Sequence, residues 1–316
     1  MHHNPQDHLL SWGFQGEMFH DEKFLRLLEI LASLESVAVA YSGGVDSTFL
    51  LRVARAVLGE KAVGVLAFSE SLDRNEFEEA KKTAEALGVP LTVIETREYD
   101  NPAYRRNDGS RCFHCKSELF AQVKKFAAQN AISFVLDGSN ADDLGDYRPG
   151  LRARNEQGVR SPLLEAGLDK AAIRRFSRAL GLPTWDKPAA PCLSSRIPYG
   201  SPVTYEKLRQ IETAELGLRT LGFRVLRVRH HGELARIELL PQDFSRLFDP
   251  AVLPSAIEAV KQAGFLFVAV DLEGFRSGSL NASLGPEAAA EGTMKKIVPV
   301  MPAQGPPKAG PAPSSG

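Results

Sequence analysis

The string "VAVAYSGGVDSTFLLRVARAVLG", which opens at Val37 and closes at Gly59, constrains the fold of this chain more than any other feature. A short run of β-branched and small apolar residues gives way to a Ser-Gly-Gly turn. Apolar residues then recur at helical spacing until Gly59 stops them. Buried strand, glycine turn and helix follow one another in that order. Gly43 and Gly44 allow the backbone to come close to a ligand, and the unpaired amides of the first helical turn, with the helix dipole, favour an anion there. Ser42 and Ser47 add hydroxyl donors. Asp46 has no use against a bare phosphate but suits a magnesium ion that bridges phosphate oxygens. The loop lacks the lysine of the G-x-x-x-x-G-K-[ST] pattern, so it is not that phosphate loop. Gly-Gly taken alone reads equally as a plain turn with a serine helix cap.

What surrounds this unit repeats its order. A helix over Phe24 to Leu34 precedes it. The strand "AVGVLAF", a helix from about Arg74 to Leu87, the strand "LTVIET", a helix from about Ser117 to Gln129 and the strand "ISFVLDGSN" follow. Alternation of this kind predicts a parallel sheet covered on both faces, with ligands at the carboxyl ends of its strands. Phe68, at the end of the second strand, joins the nucleotide-binding candidates. "LDGSNADD" at the end of the fourth strand brings Gly138 and Asp142 towards the loop, although each also suits a simple turn. After the helix "DKAAIRRFSRAL" comes a stretch dense in Pro and Ser, read as a junction. A helix from about Tyr205 to Leu221, the strands "FRVLRVRHH" and "LARIELL", a helix near 251–263 and the strand "FLFVAVD" follow. The expected class is α/β: a Rossmann-like parallel-sheet domain over 20–187, then a smaller α+β domain over 188–284. Residues 285–316, rich in Ala, Gly, Pro and Ser, are expected to form a disordered tail.

Charge and cysteine usage bound the partners. A net charge of -1 provides no basic field for a nucleic-acid backbone, so no nucleic acid is expected. "FLFVAV", the longest strongly apolar stretch, is far too short to span a bilayer, and the start "MHHNPQDHLLSWGF" does not resemble a secretory signal. Three cysteines suit no disulfide framework, which points to reduced thiols and a cytoplasmic protein. Two of the three stand in "RCFHCKSELF", as Cys112 and Cys115, and the third, Cys192, lies in the junction. That set is compatible with an iron-sulfur site, with zinc bound by three thiolates and His114, or with no metal at all. Lys116, directly after the pair, is a phosphate-pairing candidate or a solvated lysine. Arg227 and Arg229 fall on one face of their strand, where two guanidinium forks suit a phosphate; an exposed edge kept soluble by charge is the competing reading. The histidines, among them His20, His230 and His231, read as surface residues.

The whole loop "SGGVDS" resembles the S-G-G-x-D-S signature of the PP-loop ATP pyrophosphatases. That resemblance implies cleavage of ATP between its α and β phosphates, transfer of AMP to a substrate oxygen, and release of pyrophosphate. "RCFHCK", "DGSNADDLGDYRPG", "SPLLEAGLDKAAIRRFSRALGLPTWDKPAAPCLSSRIPYG" and "RVRHH" together are similar to the LarE family, over about Phe24 to Asn281. LarE proteins are sulfur transferases of nickel-pincer nucleotide cofactor biosynthesis. The resemblance implies ATP and Mg2+ as cofactors. It implies pyridinium-3,5-biscarboxylic acid mononucleotide as substrate and a thiocarboxylate product. It also implies Cys192 as the sulfur-handling residue, with Arg196 to favour its thiolate or hold a phosphate. Glu215 would order magnesium or substrate, and Arg227 and Arg229 would take the mononucleotide phosphate. Cys112 and Cys115 beside Cys192 match the three-cysteine variants in which a [4Fe-4S] cluster is held; in single-cysteine members the equivalent of Cys192 gives up its own sulfur. A homo-oligomer is expected, with sulfide or a sulfur-donor protein as the sulfur source. A tRNA thiolase of the PP-loop type and a non-catalytic nucleotide- or metal-binding protein are the competing functions.

Overall fold

The computed structural model describes residues 12–14, 16–145, 149–276 and 279–280. The expected tail over 285–316 lies outside the described residues, as do His2, His3 and His8.

Helix α1 (Glu22–Ala32) starts where Asp21 accepts from the amides of Lys23 and Phe24, and it turns Phe24, Leu27, Ile30 and Leu31 inwards. Strand β1 (Val37–Tyr41), helix α2 (Val45–Leu58), strand β2 (Ala62–Phe68), helix α3 (Arg74–Ala86) and strand β3 (Leu91–Glu95) follow. Next come α4 (Pro102–Arg105), α5 (Arg111–Gln129) and strand β4 (Phe134–Leu136), then α6 (Pro149–Gln157), α7 (Pro162–Glu165) and α8 (Lys170–Ala179). The four strands form one parallel sheet in the order β3-β2-β1-β4, so the loop-bearing strand is central. On one face Phe24, Phe49 and Phe176 meet at ring-centroid separations of 5.3 to 6.4 Å. On the other, Phe120 and Val123 of α5 pack on Ala38, Val65 and Val135. Burying each such large apolar side chain contributes about 1.5–3 kcal/mol, which is what fixes the helices to the sheet. Gly43 has to be glycine: its φ is +69°, and a Cβ would lie 2.5 Å from the Cβ of Ala80 in α3.

Helix α9 (Tyr205–Thr220), strands β5 (Leu226–His231) and β6 (Leu234–Leu239), α10 (Phe244–Leu247), α11 (Leu253–Gln262) and strand β7 (Phe267–Val270) make the second, mixed unit. β5 and β6 pair antiparallel and β6 and β7 parallel, in the order β5-β6-β7. Leu218 and Val260 close their own core over Val228, Ile237 and Leu239. The α/β class, with a Rossmann-like sheet followed by a smaller mixed one, is what the strand–helix alternation predicts.

Three local expectations change. The helix expected from Ser117 begins at Arg111, so Cys112 and Cys115 sit in its first turns. Helices α6 and α7 have no counterpart in the expected pattern; in α6 only Leu151 and Ala153 are buried apolar positions, too few to give a periodic signal. His230 is a core residue: its ring nitrogen Nε2 meets Gln210 at 3.0 Å and its ring packs on Phe265. His20 and His231 are exposed, as expected.

Candidate functional site

All four strands of the first sheet run the same way, so the loops at their carboxyl ends share one edge. At the end of β1 the turn enters α2, which has Gly44 as its N-cap residue and no side-chain cap. The Oγ of Ser47 folds back instead, 3.2 Å from the Ser42 amide and 3.0 Å from its hydroxyl. Asp46 points one oxygen at the ammonium of Lys170, at 2.5 Å, and its other oxygen is buried without a partner. An orphaned carboxylate oxygen on a phosphate-type loop fits a magnesium ion.

Gly138, after β4, is brought against this loop: a Cβ there would lie 3.0 Å from the Ser47 amide nitrogen. Asp142 caps α8 through the Lys170 amide at 2.9 Å. Phe68 is half-buried at the end of β2 with its ring edge on Phe77. Lys116 is exposed over the ring of Phe120 and beside Gly150.

Cys192 comes to the same edge from the junction. The Leu193 amide donates to the carbonyl of Ser71, just past β2, at 2.8 Å. Cys112 is exposed, Cys115 and Cys192 are half-buried, and all three are free thiols. Burial raises the Cys115 thiol well above the ordinary value, and the neighbouring charges of Glu98, Cys192 and Cys112 raise it further. Cys115 is thus within electrostatic reach of both other thiols. Burial disfavours the charged form of Arg111, but Cys192 and Cys112 more than offset this, and the net shift is upward. Beneath them, Ser71 donates to Glu98 at 2.8 Å, and Tyr104 meets the Ser194 hydroxyl at 2.6 Å. Glu98 is 3% exposed and its second oxygen has no partner. Among the described residues no three His, Cys, Asp or Glu side chains are grouped to hold a metal ion, which applies to zinc with His114 as much as to a cluster.

Arginines of the second unit surround this loop differently from the expectation. Glu215 is 0% exposed, and four donors fill its carboxylate: Arg196 Nε and Nη2 at 2.9 Å each, Arg219 Nη2 at 3.0 Å and the Val228 amide at 3.0 Å. It therefore does not face an open site. Arg196 is likewise committed: its Nη1 donates to the carbonyls of Pro191 and Cys192, so it shapes the Cys192 segment through the backbone and not through the sulfur. Arg227 and Arg229 do share one face of β5, and although β5 is an edge strand both are buried, which excludes the solvated-edge reading. Their forks diverge. Arg229 holds Glu238 at 2.7 Å, whereas Arg227 donates to the Leu226 and Ala189 carbonyls and lines a cavity of about 40 Å³ with Arg196 and Arg219. That volume takes water and not a nucleotide, so the expected two-fork clamp is not open here. Burial, reinforced by Arg196, lowers the Arg227 guanidinium to about 10.

Sequence reasoning missed Asn107, Arg111, Lys170 and Glu98. Arg111 abuts the cysteine pair and "NDG" is a turn signal, but a surface turn is the usual meaning of both. Lys170 and Glu98 carry no local signal, since what matters is which strand end each one reaches.

The chain is similar to known proteins over most of its length. The family model described as NAD synthase matches residues 22–129. An uncharacterized protein of Synechocystis sp. is 44% identical over 264 residues, 84% of this chain and 98% of its own length. The pyridinium-3,5-bisthiocarboxylic acid mononucleotide synthase of Lactiplantibacillus plantarum is 39% identical over 260 residues, covering 82% of this chain and 93% of its own. An uncharacterized protein of Methanocaldococcus jannaschii is 29% identical over 245 residues, 77% of this chain and 92% of its own.

Proposed function

Because this chain belongs to the LarE family of pyridinium-3,5-bisthiocarboxylic acid mononucleotide synthases, within the ATP-dependent PP-loop enzymes, we propose that it installs sulfur in nickel-pincer nucleotide cofactor biosynthesis. Its substrate is pyridinium-3,5-biscarboxylic acid mononucleotide, and its action is to adenylate the carboxylates and convert them to thiocarboxylates.

A carboxylate oxygen attacks the α-phosphorus of ATP, the bond to the bridging oxygen breaks, and pyrophosphate leaves. Ser42, Gly43, Gly44 and Ser47 hold the polyphosphate through backbone amides and hydroxyls, with Gly138 closing the loop from β4. Asp46 is the residue for magnesium, which when bound neutralises the phosphate oxygens. Phe68 and Lys116 take the rest of the nucleotide. Adenylation turns a poor leaving group into AMP. A sulfur nucleophile then attacks the carbonyl carbon, and AMP leaves with the electron pair of the C–O bond. The observation that carries this reading is the anchoring of the Cys192 segment to the end of β2, which puts a thiol at the edge where the phosphate loop opens.

Cys112, Cys115 and Cys192 are, in donor chemistry, the residues that would hold a [4Fe-4S] cluster, which would supply an iron for sulfide, but among the described residues the three thiols are not grouped for it in this arrangement. With Cys192 acting alone, its thiolate forms a thioester with the activated carboxyl group. Loss of the Cα proton and cleavage of the Cβ–S bond then leave the thiocarboxylate and dehydroalanine. Arg227 and Arg229 are the phosphate residues for the mononucleotide; to take it, Arg227 would exchange the Ala189 carbonyl and Arg229 the Ser195 carbonyl for phosphate oxygens.

The test is anaerobic purification, iron and sulfide analysis, and pyrophosphate release with the biscarboxylate nucleotide or with tRNA. Pyrophosphate that depends on the nucleotide alone is expected, with iron and sulfide in equal amounts. Release with tRNA instead, or with neither, overturns the reading. An iron-free protein that turns over once with a mass loss at Cys192 removes the cluster and leaves the sacrificial route.

A further inference from the structure

Residues 104 to 111, which lead into the Cys-x-x-Cys helix, and residues 194 to 203, which follow Cys192, meet in a buried polar joint. Asn107 is its centre. It is 0% exposed with φ at 57°, a left-handed conformation that asparagine tolerates better than other non-glycine residues. Its amide nitrogen faces the carbonyls of Ser201, Pro198 and Ile197 at 2.8, 2.9 and 3.3 Å, and its own carbonyl accepts from Gly200 at 3.0 Å. Its side-chain oxygen accepts from Arg111 Nη1 at 2.6 Å. The same Nη1 donates to the carbonyl of Ser194, two residues past Cys192, at 2.7 Å, and Nη2 reaches Cys112 Sγ at 3.8 Å.

Arg111 differs here from Arg196 and Arg229. Arg196 and Arg229 each hold a buried carboxylate, as isolated charges in an interior require. Arg111 is 4% exposed, and its hydrogen-bond partners are an amide, a carbonyl and a thiol. One guanidinium thus bridges the two segments that carry the thiols, and Cys115 packs against the apolar cluster to which Tyr104 and Leu193 belong. A planar fork is suited to this in a way that an ammonium is not, because its nitrogens are held at fixed separation.

We propose that Asn107 and Arg111 are positioning residues of the sulfur site, which together set the approach of Cys192 to the Cys-x-x-Cys helix. The inference rests on reading the three thiols as one site. Cys192 is brought to that site across a long stretch of chain, so its approach has to be specified by contacts and not by the backbone between. Proximity of this kind is worth orders of magnitude in rate, and small displacements forfeit it.

The experiment measures that proximity without turnover. The full-length reduced protein is treated with a short bifunctional thiol-alkylating reagent, and peptides bridged from Cys192 to Cys112 or Cys115 are quantified against single alkylation at Cys112. Arg111→Lys keeps the charge and loses the fork; Asn107→Gly keeps the backbone conformation and loses the side chain. Both are expected to lower the bridged fraction by about tenfold while ATP affinity stays within about twofold, because the phosphate loop is untouched. Arg111→Met, with a thermal melt on every variant, guards against simple unfolding. Bridging at the wild-type level in both Arg111→Lys and Asn107→Gly overturns the proposal. Wild-type bridging in Arg111→Lys with a loss only in Arg111→Met overturns it for the Arg111 fork. If the variants lose bridging but the wild-type protein never forms thiocarboxylate, the proposed function falls and the joint stands.

Discussion

Glu215→Gln tests the charge arrangement behind Cys192 most directly. The wild-type carboxylate accepts four hydrogen bonds in a fully buried position, three of them from guanidinium groups. Glutamine has the same shape, but one of its two polar atoms becomes an amide donor. Whichever way it is turned, that NH2 faces at least one guanidinium N–H, and Arg196 loses its carboxylate partner, while Arg219 keeps Asp73 at 2.6 Å. Arg227, already pushed down to about 10 by burial and by Arg196, loses the supporting charge of Glu215 as well. Removing one partner of a buried pair costs about 3–5 kcal/mol. In a domain of this size each kcal/mol moves Tm by roughly 2–4 °C, so the melt is expected to fall by roughly 6–20 °C. Thermal and urea unfolding of the variant measure this. Adding Arg196→Met to Glu215→Gln is expected to recover part of the loss, because the double variant no longer buries the charge it cannot pair. Alkylation at Cys192 is expected to speed up in Glu215→Gln, since Arg196 then holds the carbonyls of Pro191 and Cys192 less firmly. A single variant within about 1 kcal/mol of wild type would refute the reasoning.

Arg227→Met is expected to be neutral or stabilising in the same melt. The folded state lowers the guanidinium to about 10, so it disfavours this charge, and the side chain donates to the carbonyls of Leu226 and Ala189 and not to a carboxylate; a loss above about 2 kcal/mol would contradict that. Gly138→Ala places a Cβ 3.0 Å from the Ser47 amide nitrogen and 3.2 Å from its Cα, both backbone atoms of the phosphate loop. ATP affinity is expected to fall at least about tenfold, or about 1.4 kcal/mol, by calorimetric titration, with circular dichroism unchanged. Cys115 carries a pH dependence in metal-free protein. Its folded thiol titrates above the unfolded value of 9.0, so the stability it contributes is complete below about 9 and is lost as pH rises towards the folded value. Cys115→Ala is expected to flatten that alkaline slope in urea melts at pH 8 to 10.5.

The strand–helix order of the first sheet was legible because its signals are local, whereas the start of α5 and the helices α6 and α7 were not. A buried strand, two glycines and a helix start force the loop at 42–47, and strand–helix alternation leaves a parallel sheet as the arrangement that buries both faces. The same locality explains Gly138, which stands at a strand end whose position a parallel sheet dictates. Arginine roles were less legible. Strand period correctly put Arg227 and Arg229 on one face, but whether a guanidinium meets a ligand or a carboxylate depends on Glu238 from the neighbouring strand and on Ala189 from the junction. Glu215 stands thirteen residues before Val228 in the chain, yet shares its oxygen with that backbone amide.

By itself the sequence determined the fold class, the glycine loop between β1 and α2 and the presence of three thiols, because strand and helix periodicity, glycine conformation and residue chemistry act over a few neighbouring positions. Only the tertiary structure decided which of those groups meet. It anchored the Cys192 segment just past β2, buried Glu215 between Arg196 and Arg219, and set Arg111 between two cysteine-bearing segments. Contacts between distant segments are selected by packing and by the need to pair every buried polar group, and neither condition can be read from spacing along the chain.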